Sequence, residues 1–448
     1  MRFSAPKHRE GVLMSNGGGV SLWRSRNFQI FLAGQTLSAL GDSFSFVAIP
    51  LLVLQATGSV VQMGVVTALV GASSVVTGIF AGYIADHADR RRLLIACDVA
   101  RFVLYGLVAV VWLVSPQIWL LYVVVPLAGA FAQQFQVTYV TVVPALVPAG
   151  QITRANGHLY SSYAVASVAG PMLAGLLSAA FGPAWAVAID ATTFAASAAG
   201  LVLIRIRPTT LAPAAPDAAT ADAAEAPTGQ GGAPPAVTGR RALVRDFLAG
   251  VTFLWRHPVL RSLTVLLSLL LFITTGLTDL IIYYLKHDLG RSDGVVGYVL
   301  AAATLGSLLA ASTVAPVRDR LGFGGCWIGS WALCGVTIAG LGLTRSVIVV
   351  GVLATVQLVA TGWAGIASMS LRQEVTPDHL LGRVTSAFWT LHNSLGPIGA
   401  AALTAAAARY GVMATCVVGG TACVAIALAA LATPIRQRRP ERLEEAVS

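Results

Sequence analysis

Long apolar runs follow one another along most of this chain, separated by short polar connections rich in arginine. A membrane-crossing helix needs about 20 predominantly apolar residues. Twelve stretches qualify: 28–56, 61–85, 93–114, 118–142, 157–180, 183–204, 259–285, 294–316, 325–343, 346–370, 383–407 and 411–433. The rhythm breaks at 205–239, where Ala, Pro, Thr and Gly dominate and no aromatic residue occurs. Such a segment cannot bury enough surface to fold and is expected to be a disordered linker. After it, Leu243, Phe247, Val251 and Leu254 recur at helical spacing, with Arg241, Arg245 and Asp246 elsewhere on the turn. That pattern predicts an amphipathic helix in the headgroup layer over 240–258, its basic side towards anionic lipid. The expected division is a segment 1–27, a six-helix bundle 28–204, the linker, the interfacial helix, a second six-helix bundle 259–433 and a tail 434–448.

The two bundles carry the same landmarks. Gly64 precedes Asp86 by 22 residues and Gly297 precedes Asp319 by 22, an offset of 233 in both cases. Pro148 and Arg154 answer Pro377 and Arg383 at 229, and Gly170-Pro171 answers Gly396-Pro397 at 226. A slowly drifting offset is what a duplicated unit leaves after short deletions. Two similar membrane halves imply a site between them that faces each side in turn. The fold expected is therefore an all-α membrane protein, twelve transmembrane helices in two pseudo-symmetric six-helix bundles.

Composition agrees, since 56% of residues are hydrophobic and only 11% charged, too little polar surface for a soluble protein of this size. The net charge of +10 would suit nucleic acid, but its distribution points elsewhere. Arg2, Lys7, Arg9, Arg24 and Arg26 precede the first span, Arg90, Arg91 and Arg92 follow the second, and the series continues through Arg154, Arg205, Arg207, Arg240, Arg241, Arg245, Arg256, Arg261, Arg318, Arg320, Arg372 and Arg383 to Arg436, Arg438, Arg439 and Arg442. Lys286, Arg291, Arg345 and Arg409 alone fall in the opposite loops. Positive charge in short loops marks the cytoplasmic side. Both termini and the linker are thus expected in the cytoplasm, in a bacterial inner membrane, with no nucleic-acid partner and as a monomer. The first 27 residues lack a cleavable apolar core. Cys97, Cys326, Cys334, Cys416 and Cys423 sit inside apolar spans without metal-type spacing and are expected to pack as small side chains, with neither metal nor cofactor. No Gly-rich phosphate loop or His, Cys and carboxylate cluster supports an enzyme or an ATP-driven pump.

The connection after span two reads Gly82-Tyr-Ile-Ala-Asp86-His-Ala-Asp-Arg90-Arg91-Arg92. It resembles the signature loop of the major facilitator superfamily, G-x-x-x-D-x-x-x-R-R. The resemblance implies a latch made by Gly82, Asp86, Arg90 and Arg91 that holds the cytoplasmic gate shut in one conformation. Its counterpart keeps Asp319 between Arg318 and Arg320, but has Ala315 and Phe323 at the glycine and arginine places. Leu22-Trp23-Arg24-Ser25-Arg26-Asn27-Phe28, Gln35-Thr36-Leu37-Ser38-Ala39-Leu40-Gly41-Asp42, Arg154-Ala155-Asn156-Gly157, Asp190-Ala191-Thr192-Thr193-Phe194 and the stretch Gly250–Pro258 look like the macrolide-efflux and enterobactin-exporter branch of that superfamily. That branch implies proton-driven efflux of an amphipathic drug-like or natural-product molecule. An importer or lipid flippase on the same scaffold, and a non-transporting membrane sensor, are the alternatives.

A carboxylate in mid-bilayer is costly and should face a cavity. Asp42, near the middle of span one, is the first candidate to carry the proton, or else a packing carboxylate bonded to neighbouring backbone. Asp279 in span seven and Asp190 in span six come next, with Lys286 a ready ion-pair partner for Asp279. Asp98 and Arg101, three apart on one helix face, are expected to neutralise each other. Gly170, Pro171 and Gly175 in span five, and Gly396 and Pro397 in span eleven, are expected to bend their helices and admit close neighbours. The first set resembles the antiporter motif of drug exporters, G-P-x-x-G-G, with Ala174 at its first closing glycine. Gln35, Gln133, Tyr139, Tyr163, Trp363, Phe388, Trp389 and Asn393 supply the aromatic faces and amides that suit a bulky amphipathic solute in a central cavity.

Overall fold

The computed structural model describes residues 25–147, 151–204 and 240–439. The predicted linker, residues 1–24 and 440–448, and the side chains of Gly82, Asp86, Arg154 and 240–246 lie outside the described residues. The N-terminal half consists of α1 (Arg26–Thr57), α2 (Val60–His87), α3 (Arg90–Val114), α4 (Ile118–Leu146), α5 (Ile152–Phe181) and α6 (Pro183–Leu203). The C-terminal half follows α7 (Arg240–Arg256) and comprises α8 (Pro258–Thr274), α9 (Leu277–Tyr283), α10 (Asp293–Leu343), α11 (Val347–Val375), α12 (Asp378–Ser394) and α13 (Gly396–Ala429).

Among the described residues, ten continuous helical stretches are long and apolar enough to cross a membrane. Two of them are double. At 51 residues α10 would extend about 76 Å as one rod, far more than the roughly 30 Å hydrocarbon layer. It folds back at Gly322, whose φ of 72° is one that glycine adopts without steric cost. The turn is fastened by the start of the tail, which accepts from Phe323 N–H at Arg438 O (2.9 Å) and from Gly324 N–H at Gln437 O (3.1 Å). The stretch Arg383–Ala432 turns likewise at Gly411, with φ 82°. Counting each double stretch as two gives the twelve spans in two bundles.

Local chemistry sets the ends. Ser25 Oγ accepts from Phe28 N–H, Gly58 closes α1 in the left-handed region, and Asp89 caps α3 by accepting from Arg92 N–H at 2.8 Å. Within the N-terminal half α1 packs on α5 and α6, α3 on α4 and α6, and α2 on α4. In the C-terminal half α10 packs on α11 and α13, and α8 on α13.

Two features differ from expectation. α7 docks on α12, burying Leu254, while Leu248 and Trp255 remain exposed. Its apolar side therefore meets protein as well as the surroundings of the bundle. The span-seven helix is interrupted at Thr275-Gly276, between α8 and α9, and ends in a π-helical turn, Tyr284–Asp288. Span eleven is interrupted opposite it, at Leu395, just before Gly396-Pro397 opens α13. The two breaks face each other, Gly276 against the backbone of Ala400 and Gly399 against that of Phe272. In the N-terminal half, by contrast, α5 runs through Pro171 without a break.

Candidate functional site

The halves meet along a seam made by the last part of α1, the first part of α2 and the last part of α5 against α9, the start of α10 and the start of α13. The landmark glycines lie on it. A side chain on Gly175 would come within 2.6 Å of Gly297 Cα, so α5 and α10 touch backbone to backbone. Gly64 is covered by Thr404 and Gly71 by Pro397, which joins α2 to α13 in the corresponding position. Two polar contacts cross the seam, and one ion pair within the C-terminal half borders it. Thr67 Oγ1 donates to Asp279 at 2.6 Å, Gln55 Nε2 donates to Asp293 at 3.3 Å, and Lys286 Nζ lies 2.5 Å from the same Asp293 carboxylate. Lys286 thus pairs with Asp293 and leaves Asp279 to Thr67, contrary to the ion pair expected between the two. The reason is geometric: the π-helical turn carries Lys286 towards the start of α10.

Inside the N-terminal half, Arg101 of α3 is only 4% exposed and forms an ion pair with Asp42 of α1. This corrects the expected Asp98–Arg101 pairing. The guanidinium lies 3.8 Å from the centre of the Phe194 ring, within electrostatic reach of Asp98 and Asp190 as well. Asp98 is fully buried beside Ser197 with no well-formed hydrogen bond to either carboxylate oxygen. Asp190, also fully buried, accepts from Ser45 of α1 and from Thr193 at 3.4 Å. Gly41 makes this possible, because any side chain there would strike Asp190 and Thr193. Asp42 itself is 43% exposed and opens into a cavity of about 530 Å³ with Gln35, Gln136, Tyr139 and Tyr163. Sequence reasoning singled out Asp42, Asp190 and Arg101 but assigned Arg101 to Asp98 and not to Asp42.

The remaining candidates divide between two further cavities. Gln133 of α4 faces Trp389 and Asn393 of α12 across a space of about 460 Å³ between the halves, with Gly396 and Pro397 in its wall. Phe388, Trp389 and His392 line a cavity of about 630 Å³ among α8, α9, α10, α11 and α12, closed on one side by Phe46 of α1. Trp389 is common to both. Trp363 is a correction: its indole N–H donates to Thr313 of α10 at 2.8 Å, and it lines none of these cavities. Arg372 is another, for it is buried in the last turn of α11 and lines the 630 Å³ cavity, where the sequence suggested a loop charge.

Of the loop after span two, Arg91 is the best defined. Its Nε donates to Leu201 O at 2.9 Å and its Nη2 to Val202 O, so it caps the end of α6 from within the same half. A latch between the halves is not made by Arg91 here. Asp319 is exposed beside the Arg318–Glu374 ion pair of 2.7 Å. Among the described residues no group of His, Cys, Asp and Glu is arranged to hold a metal.

Most of the chain has relatives that match this architecture. The family model of the Major Facilitator Superfamily matches residues 31–400. The enterobactin exporter of Escherichia coli O1:K1 / APEC is 26% identical over 381 residues, covering 84% of this chain and 83% of that protein. The nucleoside transporter NupG has the same fold, with a TM-score of 0.71 at 12% identity over 91% of this chain and 98% of its own. So does a bacterial homolog to the human lysosomal transporter Spinster, solved inward-facing and unoccupied, with a TM-score of 0.66 at 14% identity over 95% and 98%. With a family match over most of its length, two six-helix bundles and cavities at and beside their junction, the chain belongs to the Major Facilitator Superfamily: it is a multi-pass membrane transporter of a small-molecule substrate, not an enzyme.

Proposed function

We propose that this transporter exports an amphipathic drug-like or natural-product molecule from the cytoplasm in exchange for protons, with both termini inside the cell. The observation that carries the reading is the cluster at Arg101. Three carboxyl groups surround one guanidinium in an apolar interior, and one of them, Asp42, reaches a cavity. A proton taken up there removes net buried charge, which gives the outside-to-inside proton gradient a purchase on the conformation of α1. The arginine-rich loops, read as cytoplasmic, support an outer position for the seam and with it an inward-open state. Similarity to an enterobactin exporter supports the direction. Gln133, Asn393 and Trp389, brought together between the halves, supply amides and an aromatic face for the solute.

Everted vesicles test this. Acidified inside, they should accumulate a compound from a toxicity-screened panel, and a protonophore should abolish the accumulation. Asp42→Asn should reduce gradient-driven accumulation at least about tenfold, since a neutral amide cannot exchange the proton, while the protein still reaches the membrane. Unchanged accumulation in that variant would remove Asp42 from the coupling, and insensitivity to the protonophore would remove protons altogether.

A further inference from the structure

Span ten ends on a positive charge without a counter-charge. Arg372 stands in the last turn of α11, where the helix dipole favours a cation, and is only 4% exposed. Its guanidinium carbon lies 3.5 Å from the centre of the Phe388 ring and 5.5 Å from that of Trp389. Among the described residues no carboxylate pairs with it, for the nearby Glu374 is taken by Arg318 at 2.7 Å. Ring faces attract the flat side of a guanidinium but leave its in-plane N–H donors unanswered. Arg372 borders the 630 Å³ cavity, whose described lining holds no Asp or Glu. His392 borders it too, stacked on Phe388 at 5.3 Å with a buried Nδ1 that has no hydrogen-bond partner. Leu267, Leu271 and Met369 make an apolar wall.

A buried cation kept free of acids, next to a second unanswered polar atom and a broad apolar surface, is arranged for an anion that arrives from elsewhere. We propose that Arg372, with His392 beside it, is the anion-binding group of a substrate site in the C-terminal half, and that the cargo is an amphipathic organic anion, a carboxylate or similar oxyanion on an aromatic or apolar body. The guanidinium edge offers two parallel N–H donors to such a group. The body lies against Phe388, Met369 and the leucines. The proposal deepens the export reading by naming the charge of what is carried.

The test is equilibrium binding of radiolabelled 2-naphthoate and its neutral analogue 2-naphthamide to the full chain in nanodiscs, with no gradient. The wild type should bind the naphthoate at least about tenfold more tightly, a difference of about 1.4 kcal/mol. Arg372→Gln should erase that preference while naphthamide binds as before, which also reports that the variant is folded. Arg372→Lys should keep part of it, having charge without the planar fork. A wild type that does not bind naphthoate or does not distinguish the two ligands overturns the proposal. So does an Arg372→Gln protein that still prefers the acid. Because no gradient is present, failure here leaves proton-driven export standing, and failure of the vesicle experiment leaves the anion site standing.

Discussion

The two halves share their landmarks and differ in their interiors. At the seam their contacts correspond: Gly64 under Thr404 joins α2 to α13, and Gly297 against Gly175 joins α10 to α5. Away from it the N-terminal half keeps continuous helices and encloses three carboxyl groups around Arg101. The C-terminal half breaks two facing helices, at Thr275-Gly276 and Leu395, and encloses Arg372 with aromatic rings in place of acids. What the two halves share is small residues where backbones touch. They differ in the buried charges, which are free to specialise. On the proposed reading, one half would hold and release a proton and the other would accommodate the solute.

The sharpest way to break this contrast is to remove each arginine in turn. Arg101→Gln leaves the buried Asp98 and Asp190 and the half-exposed Asp42 without their cation, and uncompensated buried charge of this kind costs up to about 3–5 kcal/mol. The melting temperature of the purified protein should fall steeply. Asp42→Asn combined with Arg101→Gln should recover part of the loss, since the pair then disappears together. Arg372→Gln should lower the melting temperature far less, because no acid in the described lining of its cavity depends on it. Equal losses for the two single variants would mean that both arginines are structural and that the division of labour is wrong.

How these two arginines looked in the sequence is instructive. The spans were legible because a run of about 20 apolar residues has few other uses, and the repeated glycines were legible as a repeat. Their purpose was not, since contact between α5 and α10 joins residues more than a hundred apart. Asp98 and Arg101 share a helix face, yet a long guanidinium side chain can reach a neighbouring helix, and linear spacing does not rank those neighbours. Arg372 lay just past the last apolar residue of span ten and so resembled a loop charge, whereas the helix continues to Val375 and carries it inward. Trp363 fails for a related reason. A helix that is apolar all round has no phase to read, so which of its aromatics face the cavity becomes clear only from packing. The break at Thr275-Gly276 had only a lone glycine to announce it.

The seam offers the next largest effect. Gly175→Leu puts a side chain where α10 has its backbone, and overpacking of this sort costs about 1–3 kcal/mol. That cost falls only on the state in which the halves touch there, so the population should shift away from it by roughly fivefold or more. Spin labels on Ser59→Cys and Arg291→Cys, at the seam ends of α2 and α10, should report longer distances. Gly335→Leu is the matched comparison, because Gly335 meets Gly420 inside the C-terminal half. It should lower the melting temperature and leave the label distances alone. If Gly175→Leu behaves like Gly335→Leu, the seam is part of a fixed core and does not open.

Smaller changes separate the inner seam from its rim. Thr67→Val removes the donor that Asp279 holds at 2.6 Å, and Asp279 is only 4% exposed, so water cannot take the donor's place while the halves are closed. An unsatisfied buried acceptor costs about 1–3 kcal/mol, and opening the seam would relieve it. The same label pair should therefore show a shift in the direction of Gly175→Leu. Gln55→Ala removes a 3.3 Å contact to Asp293 from an exposed side chain, and Asp293 retains Lys286 at 2.5 Å. Its effect should be under about 1 kcal/mol, within reach of the label measurement only as a slight broadening. A larger response to Gln55→Ala than to Thr67→Val would place the closing energy at the rim contact and not at the buried Thr67–Asp279 hydrogen bond.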